Sequence, residues 1–309
     1  MIKKCIGCGL ILQQENENNP GYTPDLKKDY CRRCFRLKNY GEKKKDQNPK
    51  EEQVLAKVNK GHGFAFFLVD FLNINKETIN LYQKIKLPKA LIISKSDTLR
   101  KDMKKEKIKL WLKEVYHIEE PILFINNKDY IASDNIFKIM DAKNYNSAYI
   151  LGITNAGKST FLNKLLKSYR IKREILASNK PNTTLDFIKL KIGEYTLYDT
   201  PGFSYQNDHL SLITKEIKPI TFQIKENTTL KIHDICLFFK EENQVTFYGT
   251  EQIKREYHQK EEPYTLKIPK NHDIVFPGIG FLNIKQESIV LANQPNLEIR
   301  KDLSEDTYE

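Results

Sequence analysis

The segment Ala148–Asn163, AYILGITNAGKSTFLN, runs from an apolar strand into an amphipathic helix through a loop that fits G-x-x-x-x-G-K-[ST] from Gly152 to Ser159. Few short patterns constrain a fold so tightly. Backbone N–H groups can wrap a phosphate only if a strand delivers the loop to the end of a sheet and a helix carries the chain away. An open α/β sheet is therefore expected, with the ligand at the carboxyl ends of its strands. Asn155, Ala156, Gly157, Lys158, Ser159 and Thr160 are the candidate phosphate-binding residues. Lys158 is expected on the β/γ-phosphates and Ser159 on Mg²⁺. The loop lies near the middle of a chain of 309 residues, so the parts it needs must be sought on both sides of it.

Downstream, PNTTLDFIKLKIGEYTLYDTPGF reads as a polar loop, a strand from Phe187 to Ile192, a tight turn at Gly193-Glu194, a second strand, and Asp199-Thr-Pro-Gly202. That is the order in which P-loop nucleotide hydrolases present their switches. Asp199 is placed to hold Mg²⁺, and the Gly202 N–H to reach a γ-phosphate. Of Thr183 and Thr184, Thr184 is favoured as the hydroxyl that closes over Mg²⁺. Lys158, Thr184, Asp199 and Gly202 form the candidate catalytic set.

The base-reading part precedes the loop. FAFFLVD (Phe64 to Asp70), KALIISKSD (Lys89 to Asp97) and PILFIN (Pro121 to Asn126) are short apolar runs separated by helical patterns, as buried parallel strands require. Lys95 and Asp97 sit just past a strand's carboxyl end. A carboxylate there can accept from guanine N1–H and the exocyclic amine together, a pattern adenine does not offer, while the lysine stem lies along the base. Every part of a small GTP-binding domain is then present in rotated order. The domain is circularly permuted, cut just after its second switch.

The N-terminus carries a second centre. Cys5-x2-Cys8 and Cys31-x2-Cys34 use four of the five cysteines at a spacing that brings thiolates together on a tetrahedral Zn²⁺. Four sulfurs leave no open position, so the metal would be structural. Two disulfides are the alternative, disfavoured without a secretory signal. Twelve Lys/Arg against six Asp/Glu between Met1 and Lys50 supply about half of the net charge of +11. Together with Arg32, Arg33, Arg36 and Lys38 at the second knuckle, this points to a polyanionic partner. Cys236, in DICLFF, is expected in a core. Beyond Gly202 the alternation between turn signals at Glu226-Asn227 and Glu242-Asn243 predicts an antiparallel meander. HDIVFPGIGFLNI and ESIVLAN add later strands, and the charged tail from Glu298 is expected to fray. No apolar run approaches the length of a membrane span, and a cytoplasmic protein is the expectation. The predicted architecture is an α/β circularly permuted P-loop domain (50–207) between a zinc finger (1–45) and a mainly antiparallel β domain (208–309).

Cys5, Gly7, Cys8, Gly9, Gln13, Pro20-Gly21-Tyr22, Tyr30-Cys31 and Arg33-Cys34-Phe35, with the rotated motif order, resemble the YqeH family of circularly permuted GTPases. KEIKPITFQI and DIVFPGIGF resemble that family's C-terminal module. The resemblance implies GTP hydrolysis to GDP coupled to assembly of the small ribosomal subunit, with rRNA contacts expected through the basic zinc finger and the C-terminal module and ribosomal-protein contacts through the C-terminal domain. Two positions depart from the family's pattern: Ser94 stands where the guanine box N-K-x-D has Asn, and Asn126-Asn127 replaces its S-A box. GTPases resembling this loop use an Asn at the position of Asn155 to help hold K⁺. Phe203 stands where a water-orienting Gln is found in Ras-type switches, so slow intrinsic turnover stimulated by K⁺ is expected. Two other readings stay open at this level: an RNA-binding protein whose nucleotide site barely hydrolyses, and a metal-dependent protein-binding scaffold.

Overall fold

The computed structural model describes residues 3–17, 19, 21–40, 51–98, 104–126, 135–171, 187–203, 219–249, 253–256 and 262–303. Thr183, Thr184 and Asn127 lie outside them. Two compact units emerge, and neither is one continuous stretch. The first comprises Met1–Asp70, Asn80–Ser96 and Glu120–Gln206; the second comprises Phe71–Ile79, Asp97–Glu119 and Asn207–Glu309.

In the first unit, unbroken apolar runs form strands covered on both faces, as parallel sheets require. β1 (Phe64–Asp70) is buried throughout, and β2 (Lys89–Ser94) and β4 (Ser147–Gly152) everywhere but at their first residues. With β3 (Ile122–Phe124), β5 (Ile188–Ile192) and β6 (Tyr195–Asp199) they make a six-stranded sheet in the order β3-β2-β1-β4-β6-β5. Only the β5–β6 hairpin is antiparallel. On that edge the pattern alternates: Ile188, Leu190 and Ile192 are buried, while Lys189 and Lys191 are exposed. The helices α2 (Glu51–Asn59), α5 (Asn135–Ala142) and α6 (Lys158–Ser168) each bury one apolar stripe, Phe161, Leu162, Leu165 and Leu166 in the last case. The P-loop strand β4 thus lies between β1 and β6. β2, which leads to Lys95 and Asp97, lies beyond β1, and β5 lies beyond β6. Rotating the chain order leaves these spatial neighbours unchanged.

The second unit differs from the expected meander. β7 (Ile220–Ile224), β8 (Thr228–Ile232), β9 (Ile235–Phe239), β10 (Asn243–Gly249), β11 (Ile253–Glu256), β12 (Tyr264–Ile268), β13 (His272–Phe276), β14 (Gly280–Ile284), β15 (Ser288–Ala292) and β16 (Glu298–Lys301) form two antiparallel sheets, ordered β16-β13-β14-β10-β7 and β11-β8-β9-β15-β12. One core unites them, including Ile224, Leu237, Phe239, Phe247, Phe276 and Leu282. The chain changes sheet between β7 and β8 and again between β9 and β10. Period-two alternation reveals strands but not their partners, and both predicted turns are corners between sheets. Asn227 takes a left-handed φ of 56°, and the buried Asn243 amide donates to Gln286 O at 3.0 Å and to Ser288 Oγ. Cys236 also differs from expectation: it is half-buried, the one β9 residue that is not fully covered.

The first part of the charged tail, Glu298–Lys301, is not frayed. Glu298 to Arg300 and Lys301 pair with β13, and Arg300 is only 4% exposed. Its guanidinium donates to Ile74 O and, at 3.0 Å, to Tyr116 Oη; Nε lies 3.4 Å from Asp273 Oδ2. It also sits 4.8 Å from the ring centroid of Trp111 and 4.9 Å from that of Phe281. Trp111 and Tyr116 belong to α4 (Lys105–Tyr116), whose indole N–H donates to Lys301 O at 2.9 Å. Tyr116 Oη donates to Glu298 at 2.7 Å. These contacts explain why 71–79 and 97–119, placed by sequence in the nucleotide-binding domain, fall in the second unit. A charged tail looks solvated until the fold supplies a buried carboxylate, a carbonyl and aromatic faces for its guanidinium.

Burial raises the Asp273 pKa to about 6, with Arg300 and an Asn283 hydrogen bond opposing the shift. A carboxyl raised in the folded state contributes stability that is complete below its unfolded value and is lost as pH rises through the folded value. Arg300→Met removes the cation that tolerates the charged form. It should therefore cost on the order of 3–5 kcal/mol near neutral pH, and less below about pH 5, where Asp273 holds a proton. Trp111 is the single tryptophan, so urea unfolding followed by its fluorescence reads this unit directly. Equal costs at both pH values would contradict the assignment.

Candidate functional site

The loop after β4 is shaped by backbone contacts to both neighbouring strands. Gly152 has φ +156°, and a Cβ there would lie 2.5 Å from Leu68 O. Only glycine allows β1 to approach so closely. Ile153 N–H donates to Leu68 O at 3.3 Å, Phe203 N–H to Gly152 O at 3.0 Å, and Thr154 N–H to Phe203 O at 2.7 Å. The Thr154 hydroxyl donates to the same carbonyl at 2.9 Å. Asn155 (φ 66°) and Gly157 (φ 86°) take left-handed conformations that turn the loop into α6. No side chain caps this helix start, leaving its amide end the natural seat for an anion.

Lys158, buried in the first turn of α6, donates to Asp199 Oδ1 and to Thr200 O. Asp199 is fully buried at the end of β6, and Thr200 is held by Ile150 O through both its amide (3.2 Å) and its hydroxyl (3.0 Å). Ser159 is half-buried beside them and Thr160 is exposed. A hydroxyl and a carboxylate are hard oxygen donors of the kind Mg²⁺ takes, and the cation of Lys158 suits phosphate oxygens. Gly202 packs against Thr154, its would-be Cβ 3.3 Å from that hydroxyl. Phe203 is turned inward, 1% exposed and stacked on Phe67 at 6.0 Å, and so places no polar group at the loop.

At the end of β2, Lys95 takes a left-handed φ of 53°, and its Nζ lies 3.6 Å from the carboxylate of Asp70. Asp97 follows in a short 3₁₀ turn, Ser96–Thr98. Ser94 is buried, and its hydroxyl has no hydrogen-bond partner, a polar atom in want of one where guanine boxes carry Asn. The sequence reading passed over Asp70. It carries the same signal as Asp199, a carboxylate closing an apolar strand, and could have been found that way.

The four thiols of Cys5, Cys8, Cys31 and Cys34 lie within 4.8 Å of one another, all buried and none in a disulfide. Cys8 and Cys31 sulfurs are 3.7 Å apart, against about 3.8 Å for the edge of a tetrahedron of Zn–S bonds. Cys31 N–H donates to Cys5 Sγ at 3.2 Å and Cys34 N–H to Cys31 Sγ at 3.5 Å, which favours thiolates. The shared hydrogen bonds split the set. Cys5 falls below the ordinary thiol range through Cys31, and Cys31 through Cys34, while contact with Cys31 pushes Cys8 and Cys34 above it. These residues could hold a zinc ion. Among the described residues no helix is long and apolar enough to cross a membrane.

Comparison with known proteins agrees with this geometry. Residues 71–207 match the RsgA GTPase family and residues 147–270 match MMR_HSR1, the 50S ribosome-binding GTPase family. The chain is 25% identical over 260 residues to the NO-associated protein 1, chloroplastic/mitochondrial, of Arabidopsis thaliana, covering 71% of this chain but 46% of that one. YjeQ from Thermotoga maritima is similar at a TM-score of 0.33 and 22% identity, over 47% of this chain and 49% of that chain. The uncharacterized protein YqeH of Bacillus subtilis is 32% identical over 263 residues, spanning 76% of this chain and 71% of its own length. At that identity, across more than two thirds of both proteins, the chain belongs to the YqeH family of circularly permuted GTPases.

Proposed function

We propose that this GTPase is an assembly factor of the small ribosomal subunit, turning over GTP slowly on its own and reaching rRNA through its basic N-terminal module. The observation that carries the nucleotide part is the meeting of Lys158, Asp199 and Thr200 beneath an uncapped helix start. Loading a triphosphate would let Lys158 exchange Asp199 for phosphate oxygens, freeing the carboxylate for Mg²⁺ together with Ser159 and Thr184. Bound there, Mg²⁺ would neutralise charge between the β- and γ-phosphates. The backbone N–H groups of Ala156 to Thr160 would cradle the phosphates, and Gly202 would donate to the γ-phosphate. Asp97 would read guanine, with Lys95 along the base. Since the Phe203 ring is inside the core, no side chain there orients water, which supports slow turnover. Asn155 is the residue placed to assist K⁺ at the phosphates. Its left-handed backbone, a conformation Asn tolerates well, also has a purely local use.

Two nucleotide measurements test this. Asp97→Asn should lose GTP and gain xanthosine triphosphate, whose ring edge offers the complementary pattern; unchanged GTP affinity would mean that the box is elsewhere. Wild-type turnover should be faster in K⁺ than in Na⁺ at equal ionic strength, and Asn155→Ala should erase the difference. Equal wild-type rates in the two salts would remove the ion.

The zinc reading predicts metal in the purified protein and a module that folds only with it. Cys31→Ser should make the first forty residues protease-sensitive, and unchanged resistance would contradict it.

For the ribosome, the protein with a GTP analogue should sediment with small subunits more than with GDP, and its hold should weaken steeply with salt as phosphate contacts demand. Association with large subunits alone would redirect the assignment. The C-terminal sheets are the surface proposed for ribosomal-protein contacts.

A further inference from the structure

The phosphate-loop pattern leaves the position of Thr154 open to any residue, yet this side chain is buried and engaged. Its hydroxyl donates to Phe203 O at 2.9 Å, and its own amide donates to the same carbonyl at 2.7 Å. One acceptor thus serves two donors from a single residue. Phe203 is held in two further ways. Its N–H donates to Gly152 O at 3.0 Å, and its ring, 1% exposed, stacks on Phe67. Donor, acceptor and side chain are all committed. One donor already satisfies a buried carbonyl, so the second bond from Thr154 adds fixity where satisfaction is complete.

What that fixity serves lies one residue earlier. Gly202 sits on a short span between two anchored points. Before it, Thr200 is tied to Ile150 O by its amide at 3.2 Å and its hydroxyl at 3.0 Å, and the ring of Pro201 locks the next φ. After it comes Phe203, tied to Gly152 and Thr154. Both anchors therefore belong to β4 and the loop it carries. Thr154 also walls the glycine directly, since a Cβ on Gly202 would stand 3.3 Å from the Thr154 hydroxyl. A donor held this way needs no reorganisation when charge arrives, which is where preorganised N–H groups gain their strength.

We propose that Thr154 is a positioning residue for the γ-phosphate. Its hydroxyl fixes the Phe203 carbonyl and, through it, the Gly202 N–H, and so sets how strongly the site favours GTP over GDP. The inference rests on the reading of Gly202 as a γ-phosphate donor and adds the residue that holds this donor in place. GDP has no γ-phosphate and is indifferent to the hydroxyl.

The test compares the full chain with Thr154→Val, which keeps the shape and loses the hydroxyl, and with Thr154→Ser, which keeps the hydroxyl. Affinities for a non-hydrolysable GTP analogue and for GDP are measured in Mg²⁺, the GDP value reporting whether the loop is intact. Thr154→Val should weaken the analogue about fivefold, the worth of one hydrogen bond, slow single-turnover GTP hydrolysis by at least as much, and leave GDP binding unchanged. Thr154→Ser should match the wild type. Equal losses for both nucleotides would make Thr154 a support of the loop alone and overturn the inference, as would a Thr154→Ser variant that falls with Thr154→Val. Hydrogen exchange checks the wild type without any substitution: the Thr154 amide should be protected in the analogue complex, and rapid exchange there would overturn the clamp. A wild type that binds GTP beside an unaffected Thr154→Val would overturn the role of Thr154 and leave the nucleotide site standing. A wild type that binds neither nucleotide would overturn the reading of the site, and the inference with it.

Discussion

Three backbone segments meet at the carboxyl ends of β1, β4 and β6 at a spacing that no side chain could share. Gly152 fits against Leu68 O only because it lacks a Cβ, and Phe203 closes the other side by exchanging hydrogen bonds with Gly152 and Thr154. Leu68 comes from early in the chain, Gly152 from its middle and Phe203 from beyond the second switch. A permuted domain must join what its connectivity separates, and here the joining is done by main-chain hydrogen bonds that are indifferent to chain order. The positions of Lys158, Asp199 and Thr200 follow from it, because the first turn of α6 and the end of β6 are both attached to this seam.

The second unit depends on a different kind of constraint. Its edge strand β16 contributes a buried guanidinium whose partners come from the segment after β1, from α4 and from β13. Such a cluster stabilises little in net terms compared with an apolar core of the same volume, but it is intolerant of partial assembly. It thereby specifies that these stretches fold together. The chain passes between the units five times, and one of those passages falls between Ser96 and Asp97. Asp97 is therefore continuous in sequence with the helix that carries Trp111 and Tyr116, just as the segment after Gly202 is continuous with the C-terminal strands.

In the N-terminal module one short helix, Arg32–Tyr40, begins at the cysteine cluster. A metal that fixed Cys31 and Cys34 would also fix the direction of Arg32, Phe35 and Arg36, because side chains three and four apart keep their relative bearings on a helix. A metal-organised turn can hold that direction without the hydrophobic core that so small a module lacks.

Much of the candidate nucleotide site was legible in the chain because its chemistry is local. Gly152 to Ser159, Asp199 to Gly202 and the C-x2-C pairs each gather candidate groups close in sequence, and strands buried on both faces announce themselves as apolar runs. Their rotated order was legible too, since motif order is a property of the chain. What the sequence could not determine is pairing over distance. Alternation in the last third predicted strands without saying which sheet each would join, so corners at Asn227 and Asn243 read as hairpins. Glu298 to Lys301 read as a solvated tail because Arg300 acquires its burial only from Ile74, Tyr116, Asp273 and Trp111, all far away in sequence. Asp70 gained its meaning from Lys95 in the same way. By itself the sequence determined the chemistry that recurs at short spacing. The tertiary structure decided which charges are buried, because burial depends on neighbours that only the folded chain brings together.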